Sequence, residues 1–307
     1  MNKMKSLETI LNEAEKNGCV VKRDVLLSDY TTFRTGGKIN AVVSPCDEIS
    51  ALLFLKNCKE NGVRFLILGN GSNVLASDNG FDGVAIRLTG NMNKIENLGN
   101  GIIKAQAGAT LASLCRFALE HSLSGLEFAY GIPGTVGGAV FMNAGAYGGE
   151  MKDVLENAGH IDLTEMTFGE YDKTSLDLSY RHSAYSNGGY LILNACFKLE
   201  NGDKNEIKAK MDDFLQRRTD KQPLDLPSAG STFKRPEGNF AGALIEQCNL
   251  KGYTIGGAQV SAKHAGFIVN IGGATSSDIL SLIDYVKKTV KENKGVDLEP
   301  EVRILED

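Results

Sequence analysis

The glycines of this chain are bunched, and the bunching constrains its fold more than any other feature. There are 35 glycines in 307 residues, against 6 prolines and no tryptophan. Spread evenly, so much glycine would describe a flexible linker. Instead it gathers in Gly69-Asn70-Gly71-Ser72-Asn73 and again between Gly131 and Gly149. The intervening segments carry regular apolar periodicity, so the clusters are tight turns and close approaches set into an ordered framework.

That framework is legible in outline. Leu7, Ile10, Leu11 and Ala14 recur at helical spacing, with Gly18 where a C-terminal cap belongs. Asp47 offers an N-cap for a helix over 49–60, closed by Gly62. An almost wholly apolar strand over 63–68 then runs straight into Gly69. Strands over 84–88, 102–106 and 190–199 and a helix over 110–121 follow, while 131–149 is too glycine-rich for a regular element. Ile207, Met211, Phe214 and Leu215 predict an amphipathic helix over 203–218. Pro223 and Pro227 mark 220–227 as a linker. Beyond it, a helix over 240–248, a strand over 265–271, a helix opened by the Thr275/Asp278 capping-box pattern and a last strand over 298–305 make a smaller unit. Two domains are expected, 1–218 and 219–307.

Composition narrows the function. A 42% apolar content is enough for a substantial core. A net charge of −5 disfavours sequence-independent nucleic-acid binding, which needs a positive field. No apolar run approaches the ~18–20 residues of a membrane span, and the opening residues lack the apolar stretch of a signal peptide. A cytoplasmic protein without membrane or nucleic-acid partners is expected. The six cysteines (19, 46, 58, 115, 196 and 248) form no C-x-x-C pair and read as reduced, mostly buried small hydrophobes. The four histidines lack metal-ligand spacing, so no metal is expected.

Residues 69–74 begin like a dinucleotide fingerprint, but Val74 stands where the third glycine belongs. No G-K-[ST] occurs either, which excludes a P-loop. The turn is then either a plain glycine-rich β-turn or an anion nest built from its N–H groups with the Ser72 and Asn73 side chains. In Gly131-Ile-Pro-Gly134-Thr135-Val-Gly137-Gly138-Ala139, Pro133 can open a short helix whose N–H groups and dipole face an anion. Asn143, Gly145, Ala146, Tyr147 and Gly148 continue with mostly small residues that let a flat ligand approach. Two such nests suit a long diphosphate cofactor.

Five motifs then occur in order: G-N-G-S-N-V-L at 69–75, G-I-P-G-T-V-G-G-A-V-F-M-N-A-G-A-Y-G at 131–148, S-Y-R at 179–181, P-S-A-G-S-T-F-K-R-P at 227–236 and L-E-P-E-V-R at 298–303. Together they resemble the UDP-N-acetylenolpyruvoylglucosamine reductase family, from about Thr31 to Arg303. The interval between Arg181 and Ser231 is similar to that of its shorter subclass, which lacks a tyrosine-bearing loop. The resemblance implies an α+β protein. Its FAD-binding domain, of the p-cresol methylhydroxylase (vanillyl-alcohol oxidase) type, has a core over about 31–200, and a C-terminal α/β domain takes the substrate. It further implies that NADPH reduces the flavin, and that UDP-N-acetylglucosamine enolpyruvate is then reduced to UDP-N-acetylmuramate for peptidoglycan. FAD contacts are expected at Gly69, Asn70, Gly71, Ser72, Asn73, Gly134, Thr135, Gly137, Gly138, Ala139, Asn143, Gly145 and Gly148.

Reducing an enolpyruvyl double bond places hydride on the terminal carbon and leaves charge spread into the carboxylate, so the site must stabilise an oxyanion and supply a proton. Three residues match the family's functional positions. Arg181 can hold a carboxylate with its planar fork. Ser231 is the proposed proton donor, with Lys234 or Glu301 as aids, and Glu301 assists charge handling. Substrate contacts are expected from Tyr180, Arg218, Lys221, Arg235, Gln259 and His264. Two other readings stand beside this one: an oxidase on the same cofactor fold, which needs no such trio, and a non-catalytic UDP-sugar binder, which needs no flavin nests.

Overall fold

Helix boundaries follow the caps written into the sequence. In the computed structural model, which describes residues 4–305, α1 (Leu7–Lys16) starts where Ser6 accepts the Thr9 N–H, and α2 (Glu48–Glu60) starts at a capping box between Asp47 and Ser50. Thr110 caps α3 (Leu111–Glu120) and Thr135 caps α4 (Val136–Phe141). After α5 (Met151–Val154), α6 (Lys204–Lys221) and α7 (Ala241–Gln247), the Thr275/Asp278 box opens α8 (Ser276–Lys294), and Gly295 at φ +69° ends it.

Two compact units emerge. The first gathers the stretch up to Arg23 with Ala41–Asn70 and Gly83–Gln216. At its centre is a five-stranded antiparallel sheet in the spatial order Thr167–Asp172, Leu155–Asp162, Tyr190–Lys198, Ile102–Gln106, Ile95–Gly99. Strand Tyr190–Lys198 sits in the middle and is buried along most of its length. Its Leu191, Leu193 and Phe197 share a core with Ile103, Ala158 and the apolar face of α3. Phe65–Ile67 pairs in parallel with 84–86, delivering the chain to Gly69.

The second unit gathers Asp24–Asn40, Gly71–Asp82 and the chain from Arg217 onward. A three-stranded antiparallel sheet (Thr254–Ile255, Ala258–Val260, Ile268–Asn270) shares its core with Leu244 and Ile245 of α7 and Ile279, Leu282 and Val286 of α8. Arg303–Leu305 pairs in parallel with Val74–Ala76, which brings 71–82 beside the C-terminal residues.

Four expected boundaries move. Helix α6 continues to Lys221, so the first two residues of the expected linker are helical; of its apolar face Ile207 and Met211 are buried while Leu215 is exposed. The short helix that Pro133 was expected to open, α4, starts instead at Val136, because the buried Thr135 side chain caps it. The strand expected over 265–271 shortens to Ile268–Asn270, since Ser261 accepts the N–H groups of Lys263 and His264 and turns the chain before it. The last strand shortens to Arg303–Leu305, with Pro300 making only an isolated bridge to Phe233. All six cysteines are free; Cys19, Cys58 and Cys115 are buried and Cys46 is exposed. Burial pushes the Cys58 thiol up to about 12. Among the described residues no helix is long and apolar enough to cross a membrane, and no group of three or more His, Cys, Asp or Glu is placed to hold a metal.

Candidate functional site

The two glycine segments meet. Asn70 Nδ2 donates to the Pro133 carbonyl at 3.2 Å, and a Cβ on Gly69 would lie 2.8 Å from Thr135 Oγ1, so only glycine fits there. Arg87, which the sequence did not single out, donates from Nε to the Gly69 carbonyl at 3.1 Å. Gly71 has φ +62°, and a Cβ there would stand 2.0 Å from the Tyr30 carbonyl oxygen. Its own carbonyl accepts the Thr32 N–H at 3.0 Å and the Thr32 hydroxyl at 3.3 Å.

The Gly69 and Gly71 carbonyls bond to the protein, but the donors of this turn do not. Among the described residues, the backbone N–H groups of Gly69, Asn70, Gly71 and Ser72 meet no protein acceptor, although Gly71 is buried. An unpaired buried donor costs about 1–3 kcal/mol, and a pyrophosphate fits this donor set. Asn73 takes a different part: its Nδ2 donates to the Glu301 carbonyl at 3.1 Å and its carbonyl accepts the Arg303 N–H at 3.0 Å.

Helix α4 does not supply the anion-facing amides expected of it. The N–H groups of Val136, Gly137 and Gly138 donate to Ala109 O at 2.8 Å, Ala107 O at 2.9 Å and Thr135 Oγ1 at 3.2 Å. Its glycines act by their size. A Cβ on Gly137 would crowd that of Ala107 at 3.0 Å, and one on Gly145 would meet the Gly149 carbonyl at 2.7 Å, whereas Gly134 and Gly138 face nothing closer than 3.4 Å. Gly148 is open to space, and with Tyr147 (φ +54° and +88°) it makes the two-residue turn of the hairpin Gly145–Ala146 and Gly149–Glu150. Ala139 is buried, and Asn143 is fully buried with its side chain bonded to Glu150, Ser179 and Lys152.

Arg181 lies in the first unit, at the tip of a tight turn. Ser179 and His182 exchange two backbone hydrogen bonds of 3.1 Å, and Arg181 takes φ +55°. Its guanidinium packs 5.1 Å from the Tyr180 ring centre, and one NH2 group makes a long contact of 3.4 Å to the Gly145 carbonyl. Tyr180 is 48% exposed.

Ser231 and Glu301 lie together in the second unit. Next to Ser231, the buried Thr232 donates its N–H to Gly266 O at 2.9 Å and accepts the Ile268 N–H on its hydroxyl at 3.0 Å. The Thr232 carbonyl accepts the Glu301 N–H at 2.8 Å, so exposed Ser231 and half-buried Glu301 stand at one end of the same short ladder. At the other end Lys234 donates its N–H to Glu299 O, and its ammonium pairs with the Glu299 carboxylate at 3.1 Å. Lys234 is therefore engaged away from Ser231.

Apart from Tyr180, the expected substrate residues are dispersed within this unit. Arg218 and Lys221 occupy the last turns of α6, and the Arg235 guanidinium stacks 4.4 Å over the exposed Phe240 ring. Gln259 donates to the Thr254 hydroxyl at 3.1 Å across its hairpin. His264 accepts the Gly266 N–H on Nδ1 at 3.1 Å, which puts its proton on Nε2, and burial holds its pKa below the usual value.

Two segments match known families. The model of an FAD binding domain matches residues 39–163, and that of the UDP-N-acetylenolpyruvoylglucosamine reductase C-terminal domain matches residues 222–305. The UDP-N-acetylenolpyruvoylglucosamine reductase of Clostridium novyi (strain NT) is 49% identical over 301 residues, covering 98% of this chain and 95% of its own length. That of Limosilactobacillus reuteri subsp. reuteri is 49% identical over 287 residues, 93% of this chain and 95% of its own. The solved UDP-N-acetylenolpyruvylglucosamine reductase from Thermus caldophilus superposes with a TM-score of 0.81 at 35% identity, over 94% of this chain and 100% of that one. An alkyldihydroxyacetonephosphate synthase, at 14% identity and a TM-score of 0.50, is similar in fold alone.

Proposed function

The chain belongs to the UDP-N-acetylenolpyruvoylglucosamine reductase family, and on that premise we propose how its residues divide the work. The enzyme uses NADPH and FAD to reduce UDP-N-acetylglucosamine enolpyruvate to UDP-N-acetylmuramate, a step of peptidoglycan precursor synthesis. Its N-terminal domain is of the p-cresol methylhydroxylase (vanillyl-alcohol oxidase) type, followed by the family's C-terminal domain. We place it in the cytoplasm, with its NADPH.

FAD, when bound, supplies the two-electron store that NADPH fills and the enolpyruvyl group draws on. The free N–H groups of Gly69, Asn70, Gly71 and Ser72 hold its pyrophosphate. Gly134, Gly138 and Gly148, with no close neighbour at the Cβ position, leave backbone open to a flat ligand.

The remaining steps concern the substrate and the protein's own side chains. Hydride arriving at the terminal carbon leaves negative charge on the adjacent carbon and its carboxylate. Arg181 takes that charge with two parallel N–H groups, an interaction that grows as the charge develops. The Ser231 hydroxyl gives its proton to the carbon bearing the carboxylate, and Glu301, whose N–H bonds the carbonyl of the neighbouring Thr232, assists in handling the charge. Arg218, Lys221 and Arg235 are the cations for the UDP diphosphate. The observation that carries this reading is the pairing of Thr232 with Glu301, which sets two residues from distant motifs side by side.

The test is an anaerobic stopped-flow run on the purified holoenzyme. NADPH should bleach the flavin, and UDP-N-acetylglucosamine enolpyruvate should restore its colour promptly. A flavin that stays reduced until air enters would replace this reading with that of an oxidase.

A further inference from the structure

Asn143 is spent on the protein. It is fully buried and sits at φ +40°, a backbone region asparagine tolerates better than most residues. Its Nδ2 donates both hydrogens, to the Ser179 carbonyl at 2.8 Å and to Glu150 Oε2 at 2.7 Å, and its Oδ1 accepts the Lys152 N–H at 2.9 Å. Ser179 is the first residue of the turn that presents Arg181, and its carbonyl also accepts the His182 N–H. Four residues on, the fully buried Ser183 hydroxyl donates to the Phe141 carbonyl at 2.7 Å, at the end of α4. The Arg181 turn is thus tied at two points to the segment that closes α4. A tie is needed there, because Arg181 has a left-handed φ of +55° that an arginine rarely adopts by itself.

We propose that Asn143 is a positioning residue: by fixing the Ser179 carbonyl it holds the Tyr180-Arg181 turn in its strained form and so aims the Arg181 guanidinium. This rests on the reading of Arg181 as the group that takes the developing charge. Asn143 then acts on the substrate half of the cycle and only through Arg181, with no contact of its own to cofactor or substrate. Glu150 is the second anchor, accepting one Asn143 hydrogen while its other oxygen pairs with the Lys152 ammonium at 3.1 Å.

Asn143→Asp is the test, because aspartate keeps the shape and accepts the positive φ but turns two donated hydrogen bonds into oxygen–oxygen repulsions. Flavin reduction by NADPH and flavin reoxidation by UDP-N-acetylglucosamine enolpyruvate are measured separately in the holoenzyme. They are repeated in Arg181→Lys and in the double variant. The proposal expects reduction within ~3-fold of wild type, reoxidation slowed at least ~10-fold, and a double variant no more than ~2-fold slower than Arg181→Lys alone. Equal losses in both half-reactions, no loss in either, or multiplied losses in the double variant would each overturn it. An Arg181→Lys enzyme that reoxidises at the wild-type rate would instead overturn the reading of Arg181 on which it stands. If Asn143→Asp does not retain flavin, Glu150→Ala, which removes one anchor and leaves the Ser179 contact, should slow reoxidation alone by ~2- to 5-fold; an equal effect on both half-reactions refutes the inference.

Discussion

Replacing Gly71 by alanine should cost the protein its FAD. A left-handed φ costs an L-residue about 1–2 kcal/mol, and Gly71 stands at +62°. The added Cβ would lie 2.0 Å from the Tyr30 carbonyl oxygen and 2.8 Å from Thr31 Cα. The two backbones must therefore part by about 1 Å to reach ordinary packing distances. That movement stretches the two hydrogen bonds Thr32 gives to the Gly71 carbonyl, together about 1–3 kcal/mol. The penalty is thus about 2–5 kcal/mol, concentrated on the turn proposed to hold the pyrophosphate. With two charge-assisted bonds misaligned, FAD affinity should fall at least ~100-fold. Gly295→Ala is the matched control, with φ +69° and nothing within 4 Å of the new methyl. It should carry only the strain and keep FAD affinity within ~3-fold. Fluorescence titration of the two apoproteins with FAD decides the matter. Equal affinity in the two variants would refute both the steric argument and the assignment of the turn.

Three further outcomes are expected. Ser231→Ala should leave flavin reduction by NADPH nearly intact while slowing reoxidation by substrate at least ~10²-fold, and equal losses in both steps, read by stopped flow, would remove its role as proton donor. Arg181→Lys should lower turnover far more than it weakens NADPH binding; steady-state kinetics with unchanged kcat would refute the bidentate argument. Burial holds the His160 imidazole below its ordinary pKa, beside the Tyr185 hydroxyl at 3.0 Å. The unfolded chain therefore binds the proton more readily, and the stability due to neutral His160 is complete above about pH 6.5 and drains away as pH falls from there through the depressed folded value. The drop in Tm between about pH 7.5 and about pH 5.5 should accordingly be shallower in His160→Gln, and parallel drops in the two proteins would contradict it.

Local signals carried far where they were chemical and failed where they were not. Asp47 and Thr275 marked helix starts because a short oxygen side chain satisfies N–H groups only a few residues away. Strand Ile102–Gln106 was legible from its branched apolar run. Thr167–Asp172 was not: it is an edge strand, exposed along nearly its whole length, and carries charges and Gly169 where an alternating pattern would be expected. The α4 helix misled for the opposite reason. Its proline and glycines suggested free amides, but whether an amide is free depends on which carbonyls arrive beside it, and Ala107 and Ala109 come from another part of the chain.

The sequence by itself determined helix caps such as Asp47 and Thr275 and the order of motifs that marks the family, because each depends on neighbours along the chain or on the identity of a few residues. The tertiary structure alone decided which of those residues share a neighbourhood. Asn73 reaches the Glu301 carbonyl, Thr232 pairs with Glu301, and Asn143 grips the turn that carries Arg181. These contacts join residues distant in the chain. They form only when the parallel pairing of Arg303–Leu305 with Val74–Ala76 and the packing of the central sheet have met the entropy of closing long loops.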